Sequence, residues 1–287
     1  MIEKTDTVES IISNNIVRPL FKPVFIYISF TAIFTINVLI YIISNDFYQT
    51  YFCGEDKVIE WITFFAYFMC SISGCAVLLF YRKYMNKWTI IYLFGLSFFL
   101  FICAGEEISW GQRILGFATP EGLIEHNQQK EFNIHNINIE VIHPRDIIGI
   151  FNYMWGFILP IGFFLKYRSK GSTWRRYIFS PVAAPCFFWA EFLNFIIKPI
   201  HKYWGPGMET ATYQIIINQT EEMVEMFWGL SALVGMLSLY IAWHFFSTNE
   251  SDALVKSTHI RHSRESVNPE PVETIGIASF RGMANKG

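Results

Sequence analysis

Six apolar runs set the terms on which this chain can fold: residues 24–44, 58–80, 88–104, 147–165, 177–197 and about 220–246. Each approaches or exceeds the ~17 to 25 residues that a helix needs to cross a hydrocarbon core. Inside lipid every backbone N–H and C=O must be paired within the segment or within a closed barrel, so continuous runs of this length are helices. The expected fold class is therefore all-α, a polytopic membrane protein built as a bundle of six transmembrane helices. Composition agrees, with 52% apolar residues, 29 phenylalanines and 16% charged residues, against about 25% charged in soluble proteins.

The first run is too long for a signal-peptide core and no small-residue cleavage pattern comes after it, so it reads as a retained span. Arg18 and Lys22, then Arg82, Lys83 and Lys87, then Lys166, Arg168, Lys170, Arg175 and Arg176, and finally Lys256, Arg261 and Arg264 alternate onto one side of the six spans. By the positive-inside rule that side, and both termini, are cytoplasmic. The opposite side receives residues 45–57, a long extracytoplasmic connection (105–146) between the third and fourth helices, and 198–219.

The chain divides into three regions. Residues 1–23 carry Val8, Ile11, Ile12, Ile16, Val17, Leu20 and Phe21 at near-helical spacing, the pattern of a short helix lying on the membrane surface. Residues 24–246 form the six-helix domain. Residues 247–287 are rich in Ser, Asn, Pro, Gly and charge, a composition that buries too little apolar surface to offset ordering entropy, and read as a disordered cytoplasmic tail. Cys53, Cys70, Cys75, Cys103 and Cys186 show no C-x-x-C spacing, so no disulfide framework is expected; Cys53 and Cys103 fall toward one membrane face, where two unpaired thiols are favoured over a single bridge. A net charge of -2 excludes nucleic acid as a partner on electrostatic grounds; the bilayer itself is the expected partner.

The stretch Gly105-Glu106-Glu107-Ile108-Ser109-Trp110-Gly111-Gln112-Arg113 ends the third run with adjacent carboxylates where hydrocarbon gives way to water. With the alternation above, Glu60, Glu106, Glu107, Glu191 and Glu225 all fall toward the same extracytoplasmic face, delivered by four different helices. Glu191, Asn194 and Lys198 form one helical stripe. Acids near a helix N-terminus are stabilising in themselves, which accounts for Asp56, Glu221 and Glu222 without any function. Glu60, Glu107, Glu191 and Glu225 sit among apolar residues, where ionisable groups ordinarily face a cavity, a partner or a functional site. They are expected to converge, with Arg113 and Lys198 as counter-charges. Glu131 and His135 lie one turn apart if their segment is helical. Trp110 stands in the densest polar stretch, whereas the other tryptophans fit an interfacial belt.

The combination of Gly54-Glu55-Asp56-x-x-x-Glu60-Trp61, the 105–113 stretch, Asn127-x-Gln129-x-Glu131-x-Asn133-x-His135-Asn136 and Glu221-Glu222-x-x-Glu225 resembles a group of uncharacterised bacterial multi-pass membrane proteins, over roughly the first 245 residues. The resemblance implies a bacterial inner (plasma) membrane protein and carries no activity with it. From the residues themselves, the leading expectation is a hydrolase or transferase acting on a lipid or lipid-linked substrate. Glu107, Glu191, Glu225 and Arg113 are its catalytic candidates, and Trp110, Gln112 and Asn194 would bind substrate. Glu60, Glu106, Glu107 and His135 are candidate ligands of a divalent metal ion, since oxygen and imidazole donors suit such an ion. A proton- or cation-coupled transporter and a non-catalytic membrane scaffold are the alternatives.

Overall fold

A computed structural model of the protein describes residues 23–53, 57–125, 127, 130–134, 137, 144–167, 176–180, 183–203 and 221–248. Among them helix is the regular structure and no strand occurs; the only extended pairing is a single antiparallel bridge between Asn127 and Ile137. In chain order the helices are α1 (Pro23–Ile43), α2 (Asn45–Tyr51), α3 (Val58–Tyr81), α4 (Lys87–Glu107), α5 (Gln112–Leu115), α6 (Glu121–Ile124), α7 (Pro144–Asn152), α8 (Leu159–Tyr167), α9 (Ala184–Tyr203) and α10 (Glu221–Thr248). Two units divide the chain, Met1–His244 and Phe245–Gly287. The surface helix expected at 1–23 and the tail expected at 247–287 lie almost wholly outside the described residues.

Five segments are long and apolar enough to cross a membrane: Val24–Ile43, Val58–Tyr84, Lys87–Glu107, Ile147–Lys166 and Glu221–Thr248. The fifth expected run departs from this pattern. Its helix begins at Ala184 rather than at residue 177, and Ala184–Leu193 is an apolar stretch within it. Pro185 stands in the first turn, where a missing N–H removes no intrahelical bond. The run at 147–165 is also interrupted, because Tyr153–Ile158 forms a π-helical turn between α7 and α8. Pro160, just beyond it, donates no hydrogen bond to the preceding turn and crowds that turn's carbonyl, a standard cause of such a bulge. Residues 45–57, expected as a plain connection, contain the short helix α2, whose first turn is capped by Ser44 Oγ accepting from the Phe47 N–H at 3.4 Å.

Packing fixes which ends lie together. α3 and α4 form a tight antiparallel hairpin, and Gly74 allows it: a Cβ there would stand 2.0 Å from Ser97 Oγ. α10 runs parallel to α3. Near its start Glu222 accepts a hydrogen bond from Cys53, further on Gly229 lies against Thr63 and Ala66, and His244 meets Tyr81 at 3.1 Å. α1 joins through Phe34, stacked on Trp189 of α9 at 4.6 Å and near Phe227 of α10. The interior holds Tyr67, Leu93, Leu100, Phe187, Phe227, Met236 and Leu239, each essentially inaccessible. Large apolar side chains such as Ile42, Leu79, Phe80, Phe94 and Phe195 point outward instead. An apolar exterior around an apolar interior is what lipid as solvent selects. The starts of α3 and α10 and the end of α4 therefore share one end of the bundle, which carries the carboxylates. Arg82, Lys83 and Lys87 lie at the other, between α3 and α4.

Candidate functional site

The 105–113 stretch folds into a reversal that turns its own side chains back onto the end of α4. Ser109, Trp110 and Gly111 have φ of 47°, 54° and 73°, three consecutive residues in the left-handed region. That region suits glycine and is an outlier for an indole-bearing residue, so other contacts must hold it. They do. The Trp110 ring lies on Gly105, where a Cβ would come within 2.9 Å of it, and its Nε1 donates to Glu106 Oε1 at 2.6 Å. Glu106 is 5% exposed, and its second oxygen accepts the backbone N–H of Ile134 at 2.5 Å. A buried carboxylate with two donors in place is stabilised rather than stranded.

The next turn clasps the long connection. Gln112 accepts the Phe132 N–H and donates to Thr119 Oγ1, both at 2.6 Å, and Thr119 donates to the Lys130 carbonyl at 2.8 Å. Arg113 places one guanidinium nitrogen on Glu60 and another on Glu131, each at 2.7 Å. Glu131 also accepts from Ser109 Oγ at 2.5 Å and from Asn133 Nδ2 at 3.0 Å. Asn127 Nδ2 donates to both oxygens of Asn133 at 2.8 Å. The segment from Asn127 to Ile137 doubles back through the Asn127–Ile137 bridge, so helical spacing does not govern Glu131 and its neighbours. Glu131 meets Arg113; His135, its expected companion, lies outside the described residues.

Glu107 and Glu225 face a different neighbour. Glu225 is one turn before Gly229, which packs against Thr63 and Ala66 of α3, and Glu107 ends the helix paired with α3. Both carboxylates come within electrostatic reach of Tyr67, whose hydroxyl is buried, the residue being 1% exposed, and has no hydrogen-bond partner. Beside them, Cys53 Sγ donates to Glu222 Oε2 at 3.1 Å. Burial pushes the Cys53 thiol well above its usual range, the carboxylates of Glu222 and Glu225 add to the effect, and Lys57 opposes it. Tyr48, buried against the same group, is raised chiefly by burial and secondarily by Cys53 and Glu222.

Glu191 occupies a third position. Trp228 Nε1 donates to its Oε1 at 3.0 Å and the Tyr153 hydroxyl donates to its Oε2, so one carboxylate ties the π-helical turn, α9 and α10 together. The expected acids have these partners: Glu60 is held by Arg113, Glu107 and Glu225 come within electrostatic reach of Tyr67, and Glu191 accepts from Trp228, one turn along α10 from Glu225. The side chains of Asn194 and Lys198 lie outside those described.

The metal expectation rests in part on His135, which lies outside the described residues. Among the described residues no group of three or more His, Cys, Asp or Glu is placed to hold an ion. Glu60 Oε1 is engaged by the Arg113 guanidinium and the two oxygens of Glu106 each accept an N–H. Glu131, Asn127 and Asn133 gain a role as the clasp, one that the Asn127-x-x-x-Glu131-x-Asn133 pattern signalled. Tyr67 stands in an apolar run with nothing around it to mark it. Comparison with protein-family models, with curated proteins and with solved structures finds no match.

Proposed function

We propose that this chain is a six-span integral membrane enzyme of the bacterial plasma membrane, with both termini cytoplasmic, and that it transfers protons during hydrolysis of, or group transfer to, a lipid or lipid-linked substrate. The observation that carries the reading is the bare, buried Tyr67 hydroxyl within electrostatic reach of two carboxylates from different helices. Buried polar atoms are ordinarily hydrogen-bonded, so a bare one is a place where a water, an ion or a substrate group can bind. Carboxylates beside it can withdraw a proton from an attacking hydroxyl and return one to a leaving oxygen. α9 supplies the sixth span in this reading, its 20 residues reaching about 30 Å at 1.5 Å per residue. The orientation rests on the Lys and Arg clusters opposite the carboxylate end. Arg113, Gln112, Trp110 and Glu106 serve the site by pinning the long connection over it.

An ion-coupled transporter needs a line of polar groups through the bundle; at mid-depth Ser97 and Ser231 return their hydroxyls to carbonyls of their own helices, at 2.7 and 2.6 Å, and toward the far end Tyr81 bonds His244 at 3.1 Å, with the bare Ser73 hydroxyl the exception. The test is conversion of a bacterial total lipid extract by reconstituted protein, read by mass spectrometry. Glu107→Gln and Glu225→Gln should each lower conversion by about 100-fold or more, within the range ascribed to general acid–base groups. Unchanged conversion in both variants, or no conversion by the unaltered protein, removes the enzymatic reading. Orientation is checked by labelling from outside, which should reach a cysteine placed at Glu125 and not one placed at Ser172.

A further inference from the structure

The end of the bundle opposite the carboxylates carries charge of one sign. The turn between α3 and α4 presents Arg82, Lys83 and Lys87, all exposed. Three contacts bring other segments to the same level: Tyr81 meets His244 of α10 at 3.1 Å, the Tyr92 hydroxyl donates to the Tyr177 carbonyl at 2.7 Å, and Trp155, ahead of α8, donates to Tyr92 at 3.0 Å. Among the described residues of this end, 79–92, 159–167, 176–180 and 236–244, Lys166 and Arg176 add two further cations and no Asp or Glu occurs. Orientation in the membrane asks only that cations be present on one side; here they also have a defined setting.

The three cations of the turn cap two outward-facing apolar stripes. On α3, Leu79 precedes Arg82 and Lys83 by three and four residues, so it shares their side of the helix, and it is exposed together with Met69 and Ile72 at helical spacing. On α4 the stripe is Trp88, Ile91, Phe94 and Phe98, all exposed, with the last two rings stacked at 6.2 Å. Gly95 beside them has open space where a Cβ would stand. Lys87 Nζ lies 5.5 Å from the centre of the Trp88 ring and Lys83 Nζ 4.8 Å from that of Tyr84. Aromatic rings at a span's end sit at the level of the lipid headgroups. These contacts therefore hold both ammonium groups at that level instead of letting the long side chains extend into water.

Charge selects the occupant. A basic cluster above an exposed apolar stripe complements an anionic headgroup above acyl chains, and clustered Lys and Arg beside a span attract anionic lipid. A zwitterionic lipid brings an ammonium of its own, which the cluster repels. A second copy of this chain fits poorly, because a two-fold axis along the membrane normal sets Arg82, Lys83 and Lys87 against the same three residues. Residues 247–287 hold five acidic and five basic side chains, so the chain's own tail offers the cluster no net charge. We propose that the Arg82–Lys87 turn, with the stripes that lead into and out of it, is a docking surface for a net-anionic diacyl phospholipid. It stands on the membrane spans alone, goes beyond the enzymatic reading, and holds whichever side of the membrane the cluster faces.

The experiment equilibrates the full chain at low salt in detergent micelles that contain equal amounts of dioleoylphosphatidylglycerol and dioleoylphosphatidylcholine, re-isolates it, and measures both lipids by mass spectrometry. The two lipids share chains and phosphate and differ in net charge. Phosphatidylglycerol should be enriched by about five-fold or more, roughly the effect of one Lys or Arg at an anionic surface. Arg82→Gln, Lys83→Gln and Lys87→Gln combined should return the ratio to nearly that of the micelle, with a lipid-free Tm close to that of the unaltered protein because all three side chains are exposed. Arg82→Lys, Lys83→Arg and Lys87→Arg combined should keep the enrichment, which separates charge from any local distortion of the turn. No enrichment with the unaltered protein, undiminished enrichment with the glutamine variant, or loss of enrichment to millimolar inorganic phosphate overturns the proposal. So does a dimer, seen by light scattering, that the glutamine variant strengthens, since a second copy would then occupy the face.

Discussion

Around Arg113 the buried polar side chains meet one another: Glu60, Ser109, Gln112, Thr119, Glu131 and Asn133 each hold at least one partner within 3.0 Å. In the packed interior beside that network, Tyr67 and Asn152 are 1% exposed and keep bare polar atoms. Both sets belong to the same chain in the same solvent, so the contrast separates two uses of polarity. A network whose donors and acceptors close on themselves fixes geometry and has little left for a ligand. A bare group contributes nothing to geometry and costs about 1 to 3 kcal/mol where it stands. Much of the charge in the 105–113 stretch is thus taken up by a closed hydrogen-bond network, whereas the bare polar atoms of Tyr67 and Asn152 lie outside it.

The largest effect should come from cutting the network at its centre. Arg113→Ala leaves Glu60 and Glu131 facing one another with their shared cation removed. Breaking a buried ion pair from one side costs roughly 3 to 5 kcal/mol, and the value here should fall in the lower part of that range because the Arg113 side chain keeps 22% exposure. Thermal unfolding in detergent reads the loss, and Arg113→Lys should recover less than half of it, since one ammonium cannot reproduce the forked geometry. A Tm unchanged by Arg113→Ala would mean that the closed network is not what holds the connection.

Glu106→Ala is the next step down. It bares the Ile134 N–H and the Trp110 indole N–H together and removes the contact that holds Trp110 in its left-handed conformation. The expected loss is about 2 kcal/mol, from two donors stripped of a charged acceptor and partly rescued by water at the rim. Protease digestion checks it independently of unfolding, because the segment around Ile134 should become cleavable while the spans stay intact.

Much of this fold could be read from the sequence, because hydrocarbon imposes length and apolarity on a span and nothing else in a chain looks similar. Val58–Tyr81 and Lys87–Glu107 are within a few residues of the expected runs. The exception, the late start of α9 at Ala184, arises where prolines and Ser180 interrupt an apolar run without making it polar. The site was less legible. Glu60 and Arg113 were recognisable as partners through charge, but Glu131 joined them through a chain reversal that no periodicity encodes. Tyr67 and Asn152 are ordinary residues for their runs, and only the tertiary packing makes their polar atoms bare.

A smaller effect should appear at Cys53, between the closed network and the bare interior. Its thiol is held protonated in the folded protein, while in the unfolded chain it ionises near pH 8.5. Below that pH both states carry the proton and the contribution to stability is complete. Above it the unfolded state releases a proton that the folded state retains, so stability falls as pH rises, by at most about 1.4 kcal/mol per pH unit. Unfolding measured between pH 8 and pH 10 should show this slope, and Cys53→Ser should flatten it. An unaltered slope in the variant would assign the alkaline loss to other groups.

Tyr67→Phe should change stability least, and its sign carries the information. Removing a hydroxyl that is bare in the folded state, and hydrated in the unfolded one, should leave stability unchanged or raise it by up to ~1 kcal/mol, whereas deleting a paired hydroxyl lowers it. If the hydroxyl exists to hold a substrate or a water near Glu107 and Glu225, the same variant should lower lipid conversion by an order of magnitude or more while the protein becomes no less stable. Stability and activity moving in opposite directions is the signature of a group retained for function at the expense of packing. A variant that is less stable by more than about 1 kcal/mol would mean that Tyr67 is satisfied in the membrane and belongs with the Arg113 network. One that converts lipid at the normal rate would leave the two carboxylates without the group in their reach, and the proton-transfer centre would have to be sought at Glu191 instead.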